Sequence, residues 1–566
     1  MRRRPPAALD AADVRALRAT LSAFGRDARA SRRDGLADAV RRGFADPAAL
    51  ADYHDLMLYV LAHPASRTEH AHAGRELRRV AAAARTIMHE GRASERRALA
   101  QSGLAWTEVR AAFGLAFARW LTRRWPSHAR LDAIDDDAPV ALADAIAAAL
   151  PPLQADVAGG GHLDADAIAA SFAGDGDRYA WIVRTLDALP ATAAVREQLF
   201  EAVGVTAVVA PRESALSRTF ARGPSGPPFT VASLVRNVDV ARMTAAPLPR
   251  AHQASRAARE AALDASRATL AMLGRETDAI ATSSARDTGI HALGRGVVIA
   301  LHAPAAGRRG PLDAHVGFVL YRNGVPVAYG GGWPFLGTCR IGVNVFPAFR
   351  GGESAWLFAQ VLRAYRQRFG VARFVVEPYQ YGLGNREGLA SGAFWFYWRL
   401  GFRPVVPRVR ALAEAEAATM AADPSYRAPI ATLRRFTASD VALDLADGPA
   451  PPDPSDLAEA ASRWIARRGR GDAARAERAA LSIAARLIGQ APPSDGLELD
   501  AWRAWAPLLA QLPEIATWPR ASRRSVAAIL RAKARDEFAF QRSLVKHRRL
   551  ADALARLARS AKAAHV

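Results

Sequence analysis

The sequence predicts a multidomain α+β protein, in which a mixed sheet flanked by helices is preceded and followed by large all-helical regions. Strand-like apolar runs cluster between His315 and Pro404. The remaining chain is rich in Ala, Leu and Arg, and its apolar residues recur every three or four positions, as in amphipathic helices. The chain has 566 residues, half of them apolar, so at roughly 150 residues per domain we expect three or four domains with real cores.

Composition shifts divide the chain into four expected segments. Residues 1–157 form an all-helical domain, and 168–285 form a mainly helical region with a Pro/Gly/Ser-rich loop. The sheet domain spans 286–410, and 411–566 is a helical region with a basic end. A glycine-rich linker at 158–167 and a Pro/Asp run at 444–456 mark boundaries. The loop that begins at Pro211 is either a connector or a cover over a site.

The sheet domain begins with strands. RGVVIALHAP, from Arg295 to Pro304, has the composition of a buried strand. Two apolar runs then flank Asn323-Gly324, a dipeptide that strongly favours a β-hairpin between such runs. TCRIGVNVF, which ends at Phe346, predicts one more strand.

The second half of the sheet domain alternates helix and strand. Glycines at 351 and 352 open a segment with helical spacing that ends near Gly370. ARFVVEPY then predicts a buried strand that ends at Glu377. A helix started by glycines follows, stops at Gly401 and passes into a final strand.

Two short patterns in this domain resemble the GNAT superfamily of acyl-CoA-dependent N-acyltransferases. Arg350-Gly351-Gly352-Glu353-Ser354-Ala355 is similar to the cofactor turn of the family, except that Glu353 stands where the family has glycine. The run from Phe396 to Phe402 fits the family's pattern of an aromatic residue, Tyr, two residues and Leu-Gly-Phe. The resemblance covers roughly residues 295–407 only.

The resemblance implies acetyl-CoA or another acyl-CoA as co-substrate, without a metal. Backbone N–H groups at a helix N-terminus favour a diphosphate. Two adjacent strands, ending near Phe346 and Glu377, would part at their C-terminal ends so that the thioester lies between them. The expected cofactor-binding residues are Phe346, Arg350, Gly351, Gly352, Ser354, Ala355 and Asn385.

Two residues are expected to be catalytic. Tyr397 stands where the family protonates the departing thiolate; alternatively it is one of five neighbouring aromatic residues that pack a core. Glu377, at the end of a strand, is the candidate base for the attacking amine. A carboxylate at Glu353 either weakens phosphate binding or is an ordinary partner of the helix dipole.

The charge of the chain leaves a second hypothesis open. The formal net charge is +22, from 77 basic and 55 acidic residues, which is typical of proteins with polyanionic partners. From Arg520 onward, the sequence contains thirteen Lys or Arg and only three Asp or Glu. The first alternative to acyl-CoA-dependent transfer to a small-molecule or peptide amine is therefore a Fem-like transferase that uses aminoacyl-tRNA. A second alternative, a non-catalytic GNAT-like binding module, is favoured by Glu353 and by the large helical excess. A GC-rich genome would also raise the Arg content.

The remaining features exclude several classes of protein. Cys339 is the only cysteine, so no intramolecular disulfide forms, and we expect a cytoplasmic protein. No signal peptide and no apolar run long enough to span a membrane is recognisable. The histidines of the first segment lack the spacing of metal motifs. Cys339 lies within a predicted strand, which favours a buried thiol over a nucleophile.

Overall fold

The computed structural model describes residues 7–249, 254–448 and 450–563. The protein is α+β and multidomain, with a mixed eight-stranded sheet and helical terminal regions. Its buried apolar side chains form three separate hydrophobic cores. The described residues include no helix that is long and apolar enough to cross a membrane.

Five helices begin the chain and share a hydrophobic core with the central sheet. Local signals set their starts: Asp10 forms a capping box, and Asp46 and Ser66 each accept a backbone N–H of the first turn. The third helix is buried on nearly every side, as expected for a helix that lies between other layers. The helices are α1 (Ala11–Ser22), α2 (Ala28–Ala39), α3 (Pro47–Ala62), α4 (Arg67–Glu90) and α5 (Ala93–Leu99).

The next stretch has its own core around a three-stranded antiparallel sheet of order β1-β3-β2. Its elements are β1 (Val109–Ala112), α6 (Leu115–Arg124), β2 (Ala129–Ile134), α7 (Leu142–Ile146), α8 (Pro152–Gly159), α9 (Ala165–Ala173), α10 (Arg178–Asp187), α11 (Ala193–Ala202), β3 (Val205–Val209), α12 (Val240–Ala245), α13 (Arg256–Ala271) and α14 (Asp278–Thr282). The expectation that 1–157 is all-helical is therefore wrong at β1 and β2. Both strands are short and rich in Ala and Arg, and pairing with the distant β3 overrides their helical propensity.

The central sheet has the order β10-β11-β9-β8-β7-β6-β5-β4, and every pairing is antiparallel except that of β8 with β9. Its elements are β4 (Thr288–Gly294), β5 (Val297–His302), β6 (Val316–Arg322), β7 (Val325–Phe335), β8 (Thr338–Val345), α15 (Ser354–Phe369), β9 (Arg373–Val376), α16 (Arg386–Ala390), α17 (Ala393–Arg399), β10 (Arg403–Pro404), α18 (Pro407–Ala422), α19 (Ile430–Phe436) and β11 (Val441–Asp444). The predicted hairpin is confirmed: Asn323 and Gly324 form its turn with φ of 48° and 79°.

Three elements of this domain differ from the prediction. The single helix expected before Gly401 is two short helices, because Gly392 between them adopts a left-handed φ of 63°. β4 and β11 were not predicted. β4 is an edge strand with only partial burial, and β11 has four residues next to the Pro/Asp run.

The expected boundary at 410/411 is wrong, because β11 returns to the central sheet. From Pro454 onward the described chain is helical and has the third core, around Trp502 and Trp505. Its helices are α20 (Pro454–Gly469), α21 (Ala473–Ile488), α22 (Gly496–Leu509), α23 (Arg520–Arg535), α24 (Glu537–Lys546) and α25 (Arg548–Ala563). Part of the basic charge here is already paired within the chain. Arg531 and Arg535 contact Glu498, Lys533 contacts Glu537, and Arg556 contacts Glu514.

Candidate functional site

A large cleft lies where the two parallel strands of the central sheet part. β8 pairs with β9 only from Thr338 to Arg340, whereas its pairing with β7 continues to Val345. The predicted parting of these strands is thus confirmed, and the β9-facing edge of β8 after Arg340 borders a cleft of about 1260 Å³. Backbone donors and acceptors on such an edge are ready to bind an extended ligand.

The glycine turn closes one end of this cleft and presents unpaired donors. Gly351 has φ of 81°, which favours glycine, and a side chain at Gly352 would come no closer than 3.8 Å to Leu234. Within the described residues, the backbone N–H groups of residues 351–356 donate to no protein acceptor. The Ser354 Oγ is buried and also has no partner there. These donors at the start of α15 favour an anion.

Glu353 points away from the cleft into the protein. Its carboxylate pairs with the Arg322 guanidinium, accepts the Val235 N–H at 2.8 Å and lies 3.4 Å from Arg295 Nη2 and 3.6 Å from His63 Nε2. Burial alone would raise its pKa, but His63, Arg322 and the Val235 N–H outweigh burial and lower the pKa to about 2. The carboxylate is therefore ionised and neutralised inside the fold. It makes no hydrogen bond to the first turn of α15, so its partners are Arg322, Arg295 and the Val235 N–H rather than the helix start.

Three other predicted cofactor residues are held by internal contacts. Arg350 donates from Nε to the Val345 carbonyl at 2.9 Å and pairs with Glu387 at the cleft rim. Asn385 caps α16: its Oδ1 accepts the Gly388 N–H at 2.9 Å, and its Nδ2 donates to the Tyr379 carbonyl at 3.0 Å. Phe346 is buried and stacks on Tyr329, with ring centroids 5.7 Å apart. Arg350 and Asn385 line the cleft. Phe346 does not, and Val345, the residue before it, lines the cleft instead.

Tyr397 lines the cleft and also packs in the aromatic core. Its ring meets Phe358 and Phe402 edge-on, each with centroids 5.8 Å apart, and only 3% of the residue is exposed. Its hydroxyl makes no hydrogen bond to any residue that the structure describes, and burial raises its pKa above the ordinary value of 10. The two interpretations of Tyr397 are thus compatible, since the ring is structural while the hydroxyl has no protein partner.

Glu377 lies at the rim of the cleft, with about half of its side chain exposed. Its Oε1 pairs with Arg340 Nη1 at 3.0 Å, and Arg340 also binds Asp453 at 2.9 Å. Because Arg340 already pairs with its carboxylate, Glu377 is only partly available to accept a proton.

Sequence reasoning missed His315, which faces the same cleft. His315 stacks on Trp333 with ring centroids 4.1 Å apart and planes at 10°. It lies directly over β7, because a Cβ on Gly331 would come within 2.0 Å of His315 Nε2. Burial lowers its pKa to about 4, so the imidazole is neutral at pH 7. No motif marks it, and only its place just before the hairpin could have drawn attention to it.

The loop from Pro211 is anchored on the hairpin and leads into the cleft wall. The Gly223 N–H donates to the Gly324 carbonyl at 2.8 Å, and the Phe229 N–H donates to Asn323 Oδ1 at 2.8 Å. The chain then passes Glu353 at Val235, and residues 236–238 line the cleft beside the glycine turn. The loop therefore positions a second basic residue, Arg236, in the cleft beside the glycine turn.

Cys339, the other candidate from the sequence, does not line the cleft. Cys339 is fully buried, and burial raises its pKa well above the ordinary value for a thiol. This agrees with the interpretation of Cys339 as a small hydrophobic residue. Among the described residues, no three His, Cys, Asp or Glu side chains are grouped so as to hold a metal ion.

Comparison with known proteins assigns no relative to this architecture. No protein-family model, curated protein or solved structure matches the chain significantly.

Proposed function

We propose that this protein is an N-acyltransferase that moves an acyl group from acetyl-CoA or another acyl-CoA to an amine. The observation that carries the proposal is the combination of one cleft, one unpaired strand edge and one donor-rich turn. The edge belongs to β8, and the turn spans residues 351–355. The GNAT resemblance of the same residues supports this function.

The diphosphate of the donor would bind at the glycine turn. Six successive N–H groups that have no partner among the described residues, the start of a sixteen-residue helix and the Ser354 Oγ provide donors for phosphate oxygens. Arg236 adds positive charge, since it lines this end of the cleft and makes no ion pair with any described residue. The pantetheine chain would then run along the open edge of β8, where its amides replace the missing strand.

The chemistry needs a base for the amine and an acid for the thiolate. The amine nitrogen attacks the thioester carbonyl carbon, the C–N bond forms, and the C–S bond breaks as the amine loses a proton. Tyr397 protonates the departing sulfur, because its hydroxyl stays protonated at neutral pH and is not engaged elsewhere. His315 and Glu377, which both line the cleft, are our candidates to accept the amine proton.

The acceptor is an amine of a small molecule or peptide, and we place the protein in the cytoplasm. The Fem-like alternative replaces the donor by aminoacyl-tRNA, with the basic C-terminal helices as its contact. The third alternative keeps the cleft as a binding site without turnover.

Titration of the full chain with CoA and acetyl-CoA tests the proposal. We expect Gly352→Asp to weaken CoA binding at least tenfold, because it adds bulk and negative charge where the backbone otherwise meets phosphate. Gly43→Asp is the matched control, since Gly43 also has open space around its Cα and lies far from the cleft in sequence. Absence of CoA binding at millimolar concentration would refute the assignment of acyl-CoA as the acyl donor. In that case, tRNA binding that is lost when residues after Arg520 are deleted would favour the Fem-like alternative.

A further inference from the structure

A second concave site lies between α4 and the loop that begins at Pro211. It is a pocket of about 460 Å³, lined on one side by His70, Gly74, Arg75 and Arg78 of α4 and on the other by Phe220 and Arg222. No residue of this lining is acidic. The pocket therefore concentrates positive charge on a concave surface.

The arginines of this pocket are unpaired, although carboxylates are close in sequence. Asp55, Glu69 and Glu76, on α3 and α4, each bind an arginine elsewhere: Arg218 at 2.8 Å, Arg32 at 2.7 Å and Arg79 at 2.7 Å. By contrast, none of the three pocket arginines makes an ion pair within the described chain. The only hydrogen bond that Arg222 makes there is from Nη1 to the Ala221 carbonyl, at 2.6 Å.

The surroundings of Arg222 point in the same direction. Burial lowers the pKa of Arg222 to about 10. Burial and, to a smaller extent, the charge of Arg222 lower the pKa of His70. Arg222 is only partly exposed, and an anion beside a partly desolvated guanidinium is favourable because it offsets the cost of removing the charge from water. The described residues provide no such anion, so the pocket is open to one from outside.

Gly74 gives the pocket its depth. It lies in the middle of the 24-residue helix α4, where glycine is less favourable than alanine. A Cβ at Gly74 would meet nothing within 4 Å, so packing within the protein does not require glycine there. The open space above Gly74 belongs to the pocket.

We infer that this pocket binds a phosphate-bearing small molecule, with the phosphate on Arg75, Arg78 and Arg222 and an apolar body against Phe220. Guanidinium groups bind phosphate through paired charge-assisted hydrogen bonds, and a dianion gains more than a carboxylate from three cations. The volume exceeds what a phosphate group alone would fill, and Phe220 provides the apolar contact. The site is separate from the acyl-CoA cleft and does not depend on the proposed function.

Calorimetric titration of the full chain with phenyl phosphate, at low ionic strength and without CoA, tests the inference. We expect one site, with binding at least tenfold weaker for Arg222→Gln. Arg15→Gln, which removes an exposed and unpaired arginine on α1, serves as the matched control and is expected to bind like the wild type. Phenylacetate, which carries a carboxylate on a similar body, is expected to bind at least tenfold more weakly than phenyl phosphate.

A second variant separates loss of the site from loss of the fold. Gly74→Leu fills the pocket without changing its charge, and we expect it to abolish phenyl phosphate binding while the melting temperature stays the same or rises. Three results would overturn the inference: no binding at millimolar phenyl phosphate, equal binding of phenylacetate, or unchanged binding in both Arg222→Gln and Gly74→Leu. Gly352→Asp is expected to leave this binding intact, and a loss there would also overturn it.

Discussion

Replacing Glu353 by glutamine tests whether this carboxylate belongs to the core or to the cleft. The side chains of Glu353 and Arg322 are both fully buried. Arg322 Nε and Nη2 have no hydrogen-bond partner within the described structure, so Glu353 is the principal partner of this guanidinium. Glu353→Gln retains the shape of the side chain but leaves the Arg322 charge uncompensated.

The expected loss of stability is large for one substitution. Removing one partner of a buried ion pair typically costs about 3–5 kcal/mol. We expect about 3 kcal/mol, because the glutamine oxygen can still accept from Arg322. Glu260→Gln is the control, since Glu260 pairs with Arg256 on the surface, with side chains 51% and 86% exposed. Such exposed pairs contribute only about 0.3–0.5 kcal/mol.

Urea denaturation and hydrogen exchange of the first turn of α15 measure this loss. The pKa of Glu353 is lower in the folded protein than its ordinary value of 4.5. Its charge therefore stabilises the fold fully above pH 4.5 and loses that effect as the pH falls towards 2. The difference between wild type and Glu353→Gln should thus be constant from pH 7 to 5 and shrink below pH 4.5. His63 is neutral over the upper range, because burial lowers its pKa to about 4.

Two outcomes would refute this account of Glu353. If Glu353→Gln destabilises the protein no more than Glu260→Gln does, the buried ion pair contributes no more to stability than an exposed one. If it binds CoA more tightly than the wild type does, the carboxylate faces the phosphate site after all. Arg322→Met combined with Glu353→Leu should recover most of the stability, because apolar residues of similar volume often replace a buried ion pair without loss.

Three further predictions concern the cleft. Tyr397→Phe should lower kcat by tenfold or more in a steady-state assay while KM and the melting temperature stay unchanged; unfolding without a separable rate effect would make the hydroxyl structural. His315→Asn should lower kcat/KM about 10²-fold or more if the imidazole is the base, whereas a comparable loss in Glu377→Gln alone would assign the base to Glu377. Arg322→Met alone should weaken CoA binding in titration, because Glu353 would keep Arg295 and the Val235 N–H as partners but, without Arg322, would turn towards water in the cleft; unchanged affinity would contradict this.

Local sequence patterns were sufficient for much of the central sheet. The Asn323-Gly324 turn and the glycine turn at 351–352 depend on backbone conformations that glycine and asparagine favour, so their sequence reports their structure directly. The parting of β8 from β9 followed from the family resemblance. The two turns depend on residues that are close in the chain, whereas β8 and β9 are more than thirty residues apart.

What the sequence did not reveal depends on contacts between distant residues. β1 and β2 are strands because β3, more than seventy residues later, pairs with both. His315 is a candidate base because Gly331 leaves room for its ring and Trp333 stacks on it. The break at Gly392 was hidden because glycine is also tolerated inside helices, and only the observed φ of 63° distinguishes the two cases.

Position 353, where the turn that this chain resembles has glycine, illustrates how the effect of a side chain depends on its neighbours. Gly351 needs a positive φ, but Glu353 has φ of −118°, which any residue adopts, so the backbone does not require glycine at this position. The side chain is then free to point inward, where Arg322 at the end of β6 compensates its charge. From the sequence alone, this carboxylate would be expected to oppose phosphate binding. In the structure it instead links the hairpin to the start of α15. The same ion pair that neutralises Glu353 also fixes the orientation of the N–H groups that we propose bind the donor.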